Sequence, residues 1–180
     1  ETGDKIIISK KNSTSFIYQL DTSTNKWNFI QNIFIKGAYK YYLPCQMNED
    51  GSRIIISNPL YSYSNNNYSG KTQIYDFDST QQKYVKVKEW VGSRSNYVGQ
   101  GVSINSTGNI VAFISQKNHI EGGVSIFEFD GTNWNSKGTI IRTGIPGFVF
   151  SDFLKLNDTG DKIIVTELTK SKSRESLSVH

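Results

Sequence analysis

Short apolar stretches alternate with polar turns along the chain, and one order of turn and strand occurs four times. Each occurrence is a polar turn that closes on glycine and is followed by an aliphatic run, as in residues 6–8 and 54–56. Short runs of β-branched residues between turn residues predict β-strands, and no segment has the i, i+3, i+4 spacing of an amphipathic helix. The turn glycines that define the repeat are Gly3, Gly51, Gly108 and Gly160.

A hairpin follows the first three of these strands. In each one an apolar strand ends in Asp, and a second strand begins near a further aromatic residue. Asp and Gly provide the turn chemistry of such hairpins. The aspartates are Asp21, Asp78 and Asp130, and the aromatic residues are Trp27, Tyr84 and Trp134. Another strand precedes the glycine turn, where Gly99 and Gly101 predict a bulge or a close approach of two backbones.

The repeat is therefore predicted to contain four short strands, A to D, joined by turns. Strand A covers 42–47, 98–104 and 148–156; strand B covers 5–9, 53–57, 110–115 and 162–166; strand C covers 15–20, 71–77 and 123–129; strand D covers 27–35, 83–90 and 134–141. As one repeat domain over 1–180, the chain divides into a partial unit at 1–36 that lacks strand A, units at 37–92 and 93–143, and a partial unit at 144–180.

Four antiparallel strands cannot bury both faces of their sheet alone, so the units must stack on one another. A period near about 50 residues and radial stacking are typical of a β-propeller. A closed ring has about four to eight blades, and the units of this chain number only about three and a half. We therefore expect an all-β, incomplete propeller or a fragment of a larger one.

The most complete unit, residues 97–134, resembles the FG-GAP repeats of integrin α-subunit heads and their degenerate relatives in microbial and giant-virus proteins. It combines a Gly-Val-Ser-Ile-Asn strand, an Asn-x-x-Gly turn and a Gly-Gly-Val-Ser-Ile-Phe-Glu-Phe-Asp-Gly hairpin. The calcium loop often found in such repeats is absent from this sequence. The pairs Asp76 with Asp78 and Glu128 with Asp130 are interpreted as turn and solvent-face residues, and no metal site is predicted.

Charge and cysteine content narrow the function classes. Twenty basic and sixteen acidic residues leave a net charge of +4 without a basic stripe, so nucleic acid is not a predicted partner. The basic residues Lys170, Lys172 and Arg174 are interpreted as a solvated loop. Cys45 is the single cysteine, which excludes an internal disulfide and predicts a buried structural thiol. No apolar run is long enough to span a membrane.

Catalytic signatures are missing from the sequence. The two histidines are His119, in a polar stretch, and His180, and no Gly-x-Ser-x-Gly, nucleotide-binding or zinc motif is present. No pair among the sixteen acidic residues stands out as a candidate for glycoside hydrolysis. We therefore predict a protein that is not an enzyme and has no cofactor. Sequons that could carry glycans in a secreted protein lie at Asn12, Asn67, Asn105 and Asn157.

The best candidate contact surface is the long loop at 58–70, which is rich in Tyr, Ser and Asn. Tyr61, Tyr63 and Tyr68 provide aromatic area at low conformational cost; a disordered insertion is the alternative. The leading hypothesis is a scaffold that binds another protein or its own copies, with a structural role in a virion suggested by the resemblance. A virion or extracellular location is favoured over the cytoplasm. The alternatives are a glycan-binding propeller and a fragment of a propeller hydrolase.

Overall fold

The computed structural model describes residues 3–10, 13–36, 42–62, 68–117, 121–142, 148–169 and 176–179. These residues form β-strands, turns and loops, without helix. The strands are β1 Lys5–Lys10, β2 Thr14–Asp21, β3 Lys26–Phe34, β4 Cys45–Met47, β5 Arg53–Asn58, β6 Lys71–Asp78, β7 Lys83–Val91, β8 Val102–Ile104, β9 Ile110–Lys117, β10 Glu121–Phe129, β11 Trp134–Arg142, β12 Phe148–Leu156, β13 Ile163–Thr169 and β14 Ser176–Val179.

The strands form four antiparallel sheets in chain order. Blade I contains β1 to β3, blade II contains β4 to β7, blade III contains β8 to β11, and blade IV contains β12 to β14. Within each blade every strand pairs with the next one in sequence, for example through Ile55 opposite Ile74 in blade II. The predicted all-β fold with four-stranded antiparallel blades is confirmed, and the described residues form an incomplete propeller.

Strand A is shorter than predicted in blades II and III. It begins at Cys45 and Val102, whereas the sequence predicted starts at 42 and 98. Pro44 has no backbone donor, although its carbonyl oxygen accepts the N–H of Ser57 at 2.9 Å. Gly99 donates its N–H to the carbonyl of Ile114 at 2.8 Å, so pairing continues there as a loop contact.

Apolar side chains are buried between consecutive blades, not within a single sheet. Ile54 and Ile56 pack with Ile17 of blade I, whereas Ile55, on the other face of β5, packs with Phe113 of blade III. Blades III and IV enclose a third core. Because each strand alternates its side chains between two faces, a run of three isoleucines contributes to two cores.

A β-bulge occurs at the same place in blades I, II and III. The register between strands C and D shifts between Ile17 and Tyr18, between Ile74 and Tyr75, and between Ile126 and Phe127. Each shift lies at the fourth residue before the aspartate of the hairpin turn. Bulges increase the right-handed twist of a strand pair, so the outer edges of the three blades twist alike.

Among the described residues, no helix is long and apolar enough to cross a membrane.

Candidate interaction site at the loop end

In blade II, the connections at one end of the strands are longer than those at the other end. The A–B and C–D turns leave the strands at one end, here called the turn end, and include residues 48–52 and 78–83. The B–C and D–A connections leave at the opposite end, here called the loop end, and include residues 59–70 and 92–101. Long connections on a rigid scaffold are the usual place of binding residues.

In three of the described A–B turns, the side chain of one asparagine forms hydrogen bonds with several residues of the turn. In blade III the Asn105 carbonyl oxygen accepts the N–H of Ile110 at 2.8 Å, and its amide nitrogen donates to Thr107 and Asn109 at 3.0 and 2.8 Å. Asn48 and Asn157 make the equivalent bonds. The buried amide nitrogen of Asn105 is the atom that glycosylation would modify, so the folded turn excludes a glycan there.

Backbone hydrogen bonds join these turns across the blades. The N–H of Glu49 donates to the carbonyl of Ser106 at 3.1 Å, and the N–H of Ser106 donates to the carbonyl of Asp158 at 3.1 Å. A cavity of about 170 Å³ lies over the three turns and is lined in part by Glu49, Lys155 and Asp158. At the turn end, hydrogen bonds therefore join the A–B turns of blades II to IV, and a small cavity lies over them.

The repeat glycines all adopt the left-handed backbone region. Their φ angles are +57° at Gly3, +67° at Gly51, +77° at Gly108 and +75° at Gly160. A side chain at this φ is strained, which gives the recurring glycine a physical reason.

The start of the tyrosine-rich loop is anchored to blade I. Asn58 is buried, and its amide nitrogen donates to the carbonyl of Ile35 at 3.0 Å and to the hydroxyl of Ser13 at 3.2 Å. Tyr61 follows, with its ring 3.8 Å from the Lys71 ammonium nitrogen in a cation–π contact. These contacts fix the position at which the loop leaves the blade.

The end of the same loop is anchored to the D–A connection. Tyr68 packs its ring 5.7 Å from that of Tyr97, and the N–H of Tyr97 donates to the carbonyl of Tyr68 at 3.3 Å. Gly70 forms a parallel bridge with Val98. These contacts fix Tyr61 near the start of the loop and Tyr68 near its end. Tyr63 lies outside the described residues.

Tyr97 belongs to this surface and Tyr42 occupies an equivalent connection, although the sequence singled out neither. Tyr42 lies in the D–A connection after blade I and is 66% exposed, and Tyr97 occupies the equivalent connection after blade II. The sequence placed Tyr42 inside strand A at 42–47 and Tyr97 directly before strand A at 98–104, whereas the observed strands begin at Cys45 and Val102. The available signal was that two successive D–A connections carry tyrosine.

A second feature missed in the sequence is the position of Arg53 between blades II and III. Its Nη2 atom donates to Asp76 at 2.6 Å, and its guanidinium carbon lies 4.7 Å from the Phe129 ring centre and 5.3 Å from that of Trp134. A cavity of about 340 Å³ opens beside these groups. Asp76 thus forms an ion pair within blade II with the arginine that contacts blade III, and it is not the simple solvent-face residue that the sequence predicted.

The other singled-out carboxylates have local partners. Asp78 and Asp130 accept backbone N–H bonds within their turns, and Glu128 pairs with Lys137 at 3.1 Å. The turn N–H groups lower the pKa of both aspartates. Among the described residues, no group of three or more His, Cys, Asp or Glu side chains could hold a metal ion.

Cys45 lies between blades I and II. Its Sγ atom is 3.1 Å from the Ser9 hydroxyl, and burial raises the pKa of the thiol. A raised pKa keeps the sulfur protonated at neutral pH, so it is a poor nucleophile.

Several residues named in the sequence lie outside the described residues. These are Asn12, Asn67, His119, Lys170, Lys172, Arg174 and His180.

Comparison with known proteins identifies the class of fold. No protein-family model and no curated protein matches the sequence significantly. A Bacteroides uniformis structure provisionally named a 6-phosphogluconolactonase is 11% identical with a TM-score of 0.57, over 99% of this chain and 54% of that one. Saccharomyces cerevisiae Sqt1 is 8% identical with a TM-score of 0.56, over 92% and 39% of the two chains.

Acinetobacter baumannii TolB is 15% identical with a TM-score of 0.51, over 98% of this chain and 38% of that one. The matched structures are propeller-like, and likeness at such identities establishes the fold alone. The chain is thus a β-propeller protein that spans about half the length, or less, of these structures.

Proposed function

We propose that this chain is a non-enzymatic β-propeller scaffold that binds another protein through its loop end. The observation that carries the proposal is the set of three tyrosines held where the ends of the loop are bonded, namely Tyr61, Tyr68 and Tyr97. Tyrosine rings supply contact area and a hydrogen-bonding hydroxyl while losing little conformational entropy. A rigid base keeps that cost low because the loop ends are already ordered.

The charge beside the tyrosines is balanced within the blade. Lys71, which stacks on Tyr61, lies 3.5 Å from Glu89, and Glu89 also accepts a hydrogen bond from Gln73 at 2.5 Å. Burial opposes the charge of Glu89, yet Gln73, Lys86 and Lys71 together lower its pKa. A nearly neutral aromatic surface fits a protein partner better than a polyanion.

Six of the described carboxylates are held in ion pairs or in turn hydrogen bonds, which supports a role without catalysis. Asp76, Glu89 and Glu128 form ion pairs, and Asp21, Asp78 and Asp130 accept turn N–H groups. The turn-end cavity of about 170 Å³ is smaller than typical ligand sites, which measure about 300–1,000 Å³. The cavity of about 340 Å³ beside Arg53 lies at the lower end of that range, and the one carboxylate that lines it, Asp76, is paired with Arg53.

The binding proposal is tested by selection of a displayed random peptide library on the immobilised chain. We expect enriched peptides whose affinity falls at least about tenfold when Tyr61 and Tyr68 are both changed to Ala. Val87→Ala, an exposed apolar change on β7 of blade II, is the matched control and should leave binding unchanged. Enrichment that does not depend on the two tyrosines would contradict the proposal.

A propeller hydrolase is the second candidate, because Glu49 and Asp158 line the turn-end cavity together with Lys155. A screen of lactone and glycoside substrates decides between the candidates. Turnover that is lost in both Glu49→Gln and Asp158→Asn would favour the hydrolase over the scaffold.

Glycan binding remains an alternative use of the same tyrosines. A glycan array would favour it if sugar binding is abolished by Tyr61→Ala and Tyr63→Ala. A structural role in a virion extends the scaffold proposal and rests on the FG-GAP resemblance. Detection of the protein in purified virions of its source would support that extension.

A further inference from the structure

The two terminal blades each expose an apolar face that is buried in the other blades. The outer face of blade I, here called the amino face, carries apolar and aromatic side chains on all three strands. In residue order these are Ile8, Phe16, Tyr18, Trp27, Phe29 and Phe34. Phe29 is 56% exposed, and its ring lies 5.8 Å from that of Tyr18. The outer face of blade IV, here called the carboxy face, includes Phe153 and Ile164, which are 54% and 48% exposed.

Equivalent positions in the four blades show which neighbouring blade each face of a sheet contacts. The fourth residue after the turn glycine packs toward the following blade at Ile7, Ile55 and Ala112. Its equivalent in blade IV is Ile164, which is exposed. The fifth residue packs toward the preceding blade at Ile56, Phe113 and Val165. Its equivalent in blade I is Ile8, which is also exposed.

The faces also match in their cation–π contacts. The second residue after the turn glycine is basic in blades I and II. Lys5 stacks over Phe77 at 5.2 Å, and Arg53 stacks over Phe129 and Trp134, in each case on the following blade. Lys162 is the exposed equivalent in blade IV. Trp27, opposite Leu20 in the register, is the equivalent of Trp134 and is 43% exposed on the amino face.

We infer that the carboxy face binds the amino face of a second copy of this chain, with Ile164 against Ile8 and Lys162 over Trp27. The contact continues the interface that already joins blades I to IV. Two copies carry eight blades, within the range of about four to eight for closed rings, and one chain covers 54% of the Bacteroides uniformis structure. A head-to-tail contact of this kind closes after two copies if its rotation is half a turn.

The test is the mass of the 180-residue chain in solution by sedimentation and light scattering. We expect twice the 20.3 kDa of one chain. Phe29→Lys and Ile164→Lys should each yield a monomer, whereas Val87→Lys, a comparably exposed change on β7, should leave the dimer intact. Far-UV circular dichroism checks that each variant is folded.

A mixture of the two monomeric variants gives the sharper result. Phe29→Lys keeps its carboxy face and Ile164→Lys keeps its amino face, so an equimolar mixture should recover a heterodimer through one intact contact. A monomeric parent chain, a ladder of larger oligomers, or a mixture that stays monomeric would overturn the inference. Coverage of both faces by further blades of a longer native chain, with the 180-residue chain monomeric, would also overturn it.

This inference does not depend on the loop-end proposal. Tyr61→Ala with Tyr68→Ala should leave the dimer unchanged, because these residues lie on neither face.

Discussion

At the scale of the residue, Arg53 joins two blades through three kinds of contact. Its guanidinium pairs with Asp76 within blade II, donates to the Gly108 carbonyl at 3.0 Å, and stacks on Phe129 of blade III. The side chain is only 14% exposed. Removing it would leave Asp76 without its cation and the two aromatic rings without their cover.

Arg53→Ala is expected to lower the free energy of unfolding by about 2 kcal/mol, less than for a fully buried pair because Asp76 retains some solvent contact. The measurement is the urea midpoint with the slope held common. Lys137→Ala is the control, since the pair of Lys137 with Glu128 is exposed and contributes less than about 1 kcal/mol. Equal effects of the two variants would show that Arg53 does not join the blades.

The hairpin aspartates make the stability of the folded chain depend on pH in the acidic range. The Ser23 and Thr24 side chains, together with the Ser23 N–H, lower the pKa of Asp21 from 3.8 to about 2. Because the folded-state pKa is below the unfolded value, this contribution is complete above the unfolded pKa and is lost as the pH falls toward the folded one. The pKa values of Asp78 and Asp130 are lowered as well.

We expect the thermal midpoint of the parent chain to fall between about pH 4 and about pH 2, and to fall less steeply in Asp21→Asn. Thermal scans across this range measure it. An unchanged slope in the variant would show that the Asp21 carboxylate does not contribute. Ser23→Ala, which removes one donor, should give an intermediate slope.

At the scale of the element, Gly99 marks the place where the connection leading into strand A of blade III approaches blade II. A Cβ atom there would lie 2.4 Å from the Ser57 Cβ, and the Ser57 hydroxyl donates to the Gly99 carbonyl at 2.5 Å. The sequence predicted a bulge or a close approach of two backbones at Gly99 and Gly101, and at Gly99 the close approach is to the side chain of Ser57. Gly131, in the C–D turn of blade III, also has a positive φ, but a Cβ there would meet nothing within 4 Å.

Gly99→Ala is expected to cost about 3 kcal/mol or more, because it combines backbone strain with a steric clash. Gly131→Ala carries the strain alone and should cost about 1–2 kcal/mol. Chemical denaturation of both variants measures the difference. Similar losses would mean that blade III shifts away from Ser57 at little cost.

Strand positions were predictable because they depend on local alternation and on turn residues. The triplets at 6–8 and 54–56 identify strand B without knowledge of the partner strand. The contacts of Arg53 were not predictable in the same way, because Phe129 belongs to another blade and blade III has Ile110 at the position equivalent to Arg53. The bulges were also missed, since the extra residues Ile30, Val87 and Lys137 share no residue type.

The loop-end surface was predictable in part. Tyrosine and asparagine content pointed to the loop at 58–70, but the pairing of Tyr68 with Tyr97 depends on how two separate connections meet. That meeting follows from the bridge between Gly70 and Val98, a long-range contact.

At the scale of the whole molecule, stability resides between blades. Blades II and III are covered on both faces, whereas blades I and IV are each covered on one face among the described residues. Such a row of units behaves approximately as a one-dimensional array, in which each unit depends on its neighbours.

Hydrogen exchange of the monomeric Phe29→Lys variant should therefore be slowest in β5, β6, β9 and β10 and faster in β1 and β13. In the parent chain, protection of β1 and β13 should rise with protein concentration as the outer faces become covered. Uniform protection in the monomeric variant would contradict a stability that depends on neighbouring blades.

The hydrogen bonds from Glu49 to Ser106 and from Ser106 to Asp158 all run in one direction around the propeller. The turn of blade III accepts at the Ser106 carbonyl from blade II and donates its Ser106 N–H to blade IV. A duplicated blade could therefore be inserted between two existing ones without any new contact chemistry at the turns. Blade number in such a protein can change by gene duplication alone, while each junction keeps its geometry.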